Sequence, residues 1–209
     1  MAAETCLYQW MQAHVPEITL QYDMEALRAR RLEFLQQKPH LAHDMSKLRI
    51  ESLQALAEEM SLNDDWINEA FEIFYEARQK ITLYDDVAPT LDLLQQVYRL
   101  VAVTNGNADI EKTGVDKWFE FSVSAAEVGQ LKPHPEFFER VLAKAGVTAA
   151  ETLHVGDDQH HDIFGASQAG IRNVWLNRSN QPWQHAEYEA DVHISSLAEL
   201  PRVVEELDH

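Results

Sequence analysis

Two rhythms divide the chain. Over residues 4–81 apolar side chains recur at helical spacing: Leu7, Trp10 and Met11; Leu27, Leu32 and Leu35 within 24–38; Leu48, Ile50, Leu53, Leu56 and Ala57; then Ile67, Ala70, Phe71 and Phe74. Steps of three and four lay one apolar stripe along an α-helix, so this part is predicted to be a run of amphipathic helices. Pro39 and Ser61-Leu62-Asn63 mark breaks, and Asn63 is the expected N-cap ahead of Asp64 and Asp65, whose charges suit a positive helix end. From about Leu83 short apolar runs take over, at 100–103, 121–123, 152–155, 173–176 and 192–194, with helical stretches at 89–97, 136–145, 162–169 and 197–207. Short buried strands alternating with helices need crossover connections, which give a parallel sheet with helices on both faces. The expectation is a doubly wound parallel-sheet α/β domain over residues 83–209, preceded by an α-helical unit over 1–82.

Composition narrows the function classes. A formal charge of −18, from 35 acidic against 17 basic residues, repels a phosphate backbone and an anionic bilayer surface, which argues against nucleic-acid and membrane partners. A phosphorylated small molecule remains compatible, because a metal ion and a lysine make a site locally positive on an acidic protein. The single cysteine, Cys6, cannot form an internal disulfide, and residues 1–10 lack the basic flank and apolar stretch of a signal peptide. No apolar run approaches bilayer-spanning length. The predicted location is the cytoplasm; oligomeric state is not legible.

Ligands of open α/β sheets bind at the carboxyl ends of strands, so the residues after each apolar run come next. Thr104-Asn105-Gly106-Asn107 follows the first run and can offer a hydroxyl and backbone N–H groups to an anion, although Asn-Gly is also a common turn pair. Lys132 sits in Gly129-Gln130-Leu131-Lys132-Pro133-His134-Pro135, where two prolines stiffen the backbone around a point charge. Gly156-Asp157-Asp158-Gln159-His160-His161-Asp162 places three carboxylates within six residues, an oxygen-rich set suited to Mg²⁺, with helix capping a credible role for one of them. His160 and His161, without a cysteine or a third spaced ligand, read as exposed rather than zinc-binding.

In this order, Thr104-Asn105, Lys132-Pro133 and Gly156-Asp157 with Asp162 resemble the second, third and fourth motifs of the haloacid dehalogenase superfamily. The likeness covers about residues 89–175, and the helical part stands where the family carries its type I cap. It implies a Rossmann-like core and a Mg²⁺-dependent phosphomonoesterase acting on a phosphorylated small metabolite. Thr104 would hydrogen-bond the phosphoryl group with the help of the Asn105 backbone, and Lys132 would hold phosphate and nucleophile. Asp157 would bind Mg²⁺ directly, with Asp158 or Asp162 beside it or one layer out. The wording around Thr104 and Asp157 looks most like bacterial phosphatases of flavin mononucleotide and of the riboflavin precursor 5-amino-6-(5-phosphoribitylamino)uracil.

One motif departs from the family. Its first motif, an apolar strand ending in Asp-x-Asp that carries the nucleophile, has no counterpart here: no aspartate precedes Asp23, and Tyr22-Asp23-Met24-Glu25 follows no apolar strand. The resemblance therefore implies a core lacking its first strand, with two unpaired inner edges, and a chain inactive as written, from a start placed too late or a shortened chain. A phosphate-accepting receiver domain is disfavoured because its paired acids precede the Thr and Lys. The competing class is a non-catalytic phosphate- or metabolite-binding protein on the same scaffold.

Overall fold

A computed structural model describes residues 2–207. Met1, Asp208 and His209, which the sequence-based bounds of the two parts include, lie outside the described residues. Two compact units emerge: one holds the chain up to Ile81 together with Gly106–Gly114, the other Thr82–Asn105 together with the chain from Val115 onwards. The pattern of apolar positions places a boundary near 82 but gives no sign that 106–114 belongs with the helices.

The helical unit contains α1 (Ala2–His14), α2 (Pro16–Gln21), α3 (Met24–Gln37), α4 (Met45–Glu59) and α5 (Ile67–Gln79). Pro16 opens α2 at a position where its missing N–H costs nothing. Asp23 and Asp44 cap α3 and α4 by accepting from the backbone N–H groups of Ala26 and Lys47. Leu7 and Met11 of α1 and Ile67, Ala70 and Phe74 of α5 join Ile18, Leu53, Leu56 and Trp66 in one continuous core. The cap expected at Asn63 does not form. Helix α5 begins at Ile67 after Trp66, which gives no side-chain cap, and Asn63 instead uses its carbonyl to accept from the Trp66 indole N–H. Nor does α3 bury its stripe: Leu32 is exposed and no residue of the helix is buried. Leu27 alone of its stripe packs against that core, and polar contacts join Arg30 to Glu59 and Arg31 to Glu4.

The α/β unit runs α6 (Val87–Leu94), β1 (Val101–Thr104), β2 (Phe121–Ser124), α7 (Ala125–Val128), α8 (Pro135–Ala145), β3 (Leu153–Gly156), a π-helical turn (Gln159–Phe164), α9 (Gly165–Gln168), β4 (Arg172–Leu176), β5 (Val192–Ile194) and α10 (Leu200–Leu207). Each expected strand appears within one residue of its predicted ends. The helix predicted at 162–169 opens instead as the π-turn, because the carbonyl of Asp158 accepts from both Asp162 N–H and Ile163 N–H.

Every strand pairing is parallel. Among the described residues the strands form two sheets rather than one, β1–β2 and β3–β4–β5. The remaining edges of β1 and β3 both line a cavity of about 1080 Å³, bounded also by Val87, Leu91, Leu94 and Leu200. Val101, Ala102 and Val103 of β1 and Leu153 and Val155 of β3 are accordingly only half-buried, although their apolar runs predict full burial. A strand with one bare edge keeps part of its surface in contact with the cavity.

Candidate active site

Three segments of the α/β unit meet through polar contacts. The first is the end of β1. Asn105 accepts from the backbone N–H of Lys132 at 2.8 Å through Oδ1 and donates to the Lys132 carbonyl at 2.9 Å through Nδ2. Both ends of one amide thereby fix the backbone that carries the lysine, a role that Asn-Gly turn chemistry alone does not reveal. The Lys132–Pro133 peptide bond is cis.

The second segment reaches Lys132 from β2 through α7. Ser124 caps α7, and Gly129 ends it with φ of 81°, a left-handed conformation that favours glycine. The third is the end of β3. The Lys132 ammonium donates to Asp162 Oδ1 at 2.6 Å, His154 Nε2 lies 3.1 Å from the same oxygen, and the Asp158 backbone N–H donates to Oδ2 at 3.1 Å. Lys132 is 8% exposed, His154 9% and Asp162 5%, so this is a buried ion pair with every carboxylate oxygen satisfied. Burial alone would raise the Asp162 carboxyl; the His154 hydrogen bond and the Lys132 charge outweigh it and hold the group well below the usual carboxylate range. Gly156 makes the arrangement possible, since a Cβ there would fall 2.3 Å from Asp162 Cγ.

The carboxylates expected to share a metal do different work. Asp162 is committed to Lys132 and His154. Asp158 caps the π-turn, its Oδ1 accepting from His160 N–H at 2.9 Å and His161 N–H at 2.7 Å, with the His161 ring 3.0 Å away. Its carboxyl is also held low, burial opposing and the His161 backbone and side-chain contacts prevailing. Capping, one of the roles open to these residues in sequence, is thus the one Asp158 fills. Among the described residues no three His, Cys, Asp or Glu side chains gather into a metal-holding group. Asp157 differs: its carbonyl accepts from Trp175 Nε1 at 2.9 Å, and it is exposed on the cavity wall with Asp158 and Gly156. A hard cation such as Mg²⁺ keeps waters and takes one or two carboxylates plus substrate oxygens. Asp157 fits one such position.

Thr104 ends β1 one residue before the Asn105 clasp. His160 and His161 are exposed, and His160 stacks on Phe164. The sequence reading gave His154 no role. Its signal was there: an imidazole inside the apolar run Leu153-His154-Val155 faces burial and needs a polar partner.

The chain is similar to known proteins. The haloacid dehalogenase-like hydrolase family matches residues 7–170. The 5-amino-6-(5-phospho-D-ribitylamino)uracil phosphatase YigB of Escherichia coli (strain K12) is 33% identical over 135 residues, 63% of this chain and 56% of that protein. The phosphoserine phosphatase of Thermus thermophilus is 30% identical over 138 residues, 63% of this chain and 55% of that protein. The chain thus spans about half the length of these curated relatives. Among solved structures, a 2-haloacid dehalogenase from Pseudomonas syringae pv. tomato DC3000 superposes with a TM-score of 0.90 at 32% identity, covering 98% of this chain and 90% of that one. The fold is the Rossmann-like α/β fold of these neighbours, and the chain belongs to the haloacid dehalogenase-like hydrolase family.

Proposed function

We propose that the protein serves as a Mg²⁺-dependent phosphomonoesterase of small phosphorylated metabolites, with flavin mononucleotide or the ribitylaminouracil phosphate as the leading substrates. The observation that carries this reading is the buried Lys132–Asp162 pair, in a unit whose cavity is also lined by the exposed Asp157 at the end of β3. An ammonium fixed by a buried carboxylate keeps its charge and its place, which is what a transferring phosphoryl group requires of its surroundings.

The cavity between β1 and β3 supports a further element of the proposal. Its walls include β1 and β3, each of which pairs with one strand among the described residues, and an extended apolar segment between them would pair with their other edges. A strand ending in Asp-x-Asp, placed there, would deliver its first carboxylate to the site proposed at Thr104, Lys132 and Asp157. That carboxylate attacks phosphorus, the bond from phosphorus to the leaving oxygen breaks, and the second aspartate protonates the leaving oxygen. Water then releases inorganic phosphate and restores the carboxylate. Thr104 and the Asn105 backbone orient the phosphoryl oxygens, Lys132 offsets their charge, and Asp157 would hold Mg²⁺. The ion, when bound, supplies Lewis-acid neutralisation of phosphate charge.

A second reading has support in the likeness to the Pseudomonas dehalogenase: hydrolytic displacement of halide from a 2-haloacid by the same carboxylate. Asp157 weighs against it, since an exposed carboxylate repels a carboxylate substrate when no cation stands between them. The test uses two forms, the 209-residue chain and the same chain extended at its N-terminus by an apolar strand ending in Asp-x-Asp. Only the extended form should hydrolyse p-nitrophenyl phosphate with Mg²⁺, and Asp157→Ala should lower its turnover at least about a hundredfold. Chloride release from 2-chloropropionate that persists in EDTA would establish the second reading. Equal phosphatase turnover by both forms would remove the strand from the account, and phosphate binding without turnover by the extended form would favour a binding protein.

A further inference from the structure

We infer that Trp175 is a positioning residue for Asp157, holding the backbone on either side of it so that its carboxylate meets a cation already oriented. Gly156, the last residue of β3, is the register partner of Trp175 in β4. The next peptide unit, between Asp157 and Asp158, is gripped at both ends. Its carbonyl accepts from Trp175 Nε1 at 2.9 Å, and its N–H donates to Asp162 Oδ2 at 3.1 Å. A peptide unit is planar, so bonds at its two opposite edges fix the plane and, with it, the backbone rotation that joins Asp157 to it. Asp157 thus stands between a paired strand end and a held peptide unit, and the freedom left to it is that of its own side chain, exposed on the cavity wall.

Both gripping side chains are buried, Trp175 at 3% exposure and Asp162 at 5%, so neither bond competes with bulk water. Trp175 shares one apolar cluster with Ile163 and Ala190, and its ring meets those of Trp183 and His193 edge-on, with centroids 5.0 and 5.1 Å away. Trp183 lies on the segment between β4 and β5, and that segment is tied back to the residue after Asp158. Gln159 Nε2 donates to the Pro182 carbonyl at 3.0 Å, and Gln159 Oε1 accepts from Gln184 N–H at 2.9 Å. A buried indole needs a partner for its N–H, and for packing alone any carbonyl would serve. Here the carbonyl is that of the exposed aspartate, while the carboxylates of Asp158 and Asp162 are engaged with the π-turn and with Lys132. A ligand held in its binding geometry beforehand loses less freedom when the ion arrives.

The inference rests on the proposed function in taking Mg²⁺ as the ion that meets Asp157, and the two fail separately. Hydrogen exchange and a Mg²⁺ titration are followed by NMR on the 209-residue chain and on its Trp175→Phe and Asp157→Asn forms. Trp175→Phe keeps an aromatic ring in the cluster and removes the N–H. It should speed exchange at Asp158 N–H roughly tenfold, the scale of one hydrogen bond lost from a shielded site, while the Val155 and Val174 amides stay protected. Mg²⁺ should shift the amide resonances of 156–158, Asp157→Asn should abolish that response, and Trp175→Phe should weaken Mg²⁺ affinity roughly tenfold, as removal of a group that orients a metal ligand does. Coupling is reciprocal, so saturating Mg²⁺ should slow exchange of the Trp175 indole N–H by about the same factor and leave that of Trp183, which donates to the Tyr188 carbonyl, as it was. A packing role alone would lower the stability of Trp175→Phe and change neither Asp158 exchange nor Mg²⁺ affinity, and that result overturns the inference. If Trp175→Phe fails to fold, the unmodified chain decides: a Trp175 indole that exchanges as fast with bound Mg²⁺ as without it overturns the inference as well. Absence of any Mg²⁺ response at Asp157 in the unmodified chain sinks the Mg²⁺ reading, and the grip on the Asp157–Asp158 peptide then stands or falls on Asp158 exchange.

Discussion

The two units bury their cores in opposite ways. In the helical unit, residues from α1, α2, α4 and α5 close on a single cluster that includes Leu7, Met11, Ile18, Ala70 and Phe74. In the α/β unit the apolar residues fall into separate clusters. Val103 packs with Val123, Phe137 and Phe138, whereas Leu153 and Val155 pack with Leu94, Val174 and Ile194, and the cavity lies between the two strands. Charge follows the same division. The helical unit buries Arg49, which donates to Glu4 at 2.7 Å and rests 3.5 Å from the Phe74 ring centroid; the α/β unit buries Lys132 against Asp162. A helix satisfies its backbone within itself, so a helical unit is finished once its stripes are covered. A strand depends on its neighbours, so a parallel core is only as complete as its strand set.

The comparison can be broken most directly at Asp162. Asp162→Ala leaves the Lys132 ammonium buried without its partner and should cost about 3–5 kcal/mol. Amide exchange during urea unfolding should show that loss in β3 and β4 and not in α1 and α5; equal loosening of both would break the contrast between the two cores. The converse probe is Met11→Ala. Met11 is 2% exposed, and its truncation should cost about 2–5 kcal/mol in the helical unit alone.

Acid provides the next test, because it removes charge without removing atoms. Asp162 and Glu4 are both held below their ordinary values, so each stabilises its unit fully above the unfolded carboxyl value of about 4 and loses that contribution as pH falls through the lower folded value. For Glu4, burial opposes the shift while the hydrogen bonds and charges of Arg49 and Arg31 carry it. Asp162→Asn should flatten the acid slope of the α/β unit only, and Glu4→Gln that of the helical unit only, as followed by exchange rates between about pH 5 and 2. The smallest effect expected is that of Asp44→Ala. It removes the α4 cap and should cost about 1 kcal/mol, visible as faster exchange at Lys47.

Much of the fold was legible beforehand. Five apolar runs predicted five strands to within a residue, because a buried strand needs a short unbroken apolar stretch and little else. The start of α5 was misplaced because Asn63 has the chemistry of a cap, yet the Trp66 indole claims its carbonyl. The stripe of α3 was misread because spacing reports which face could be buried, not whether anything covers it. At the candidate site, Lys132 and the carboxylates of 157–162 stood out by chemistry and order. Their partnerships did not, since 30 residues separate Lys132 from Asp162 and an acidic cluster reads alike whether its members share an ion or serve three purposes.

What the sequence determined by itself was the alternation of elements and the residue types at each strand end, both set by local periodicity and turn chemistry. Tertiary structure alone decided that Asp162 serves Lys132 and His154, that Asp158 caps a turn, that Asp157 stays exposed, and that 106–114 joins the helices. Each of these turns on which side chain reaches a partner first across a long stretch of chain, and in a folded protein that competition is settled by distance and desolvation rather than by neighbours in sequence.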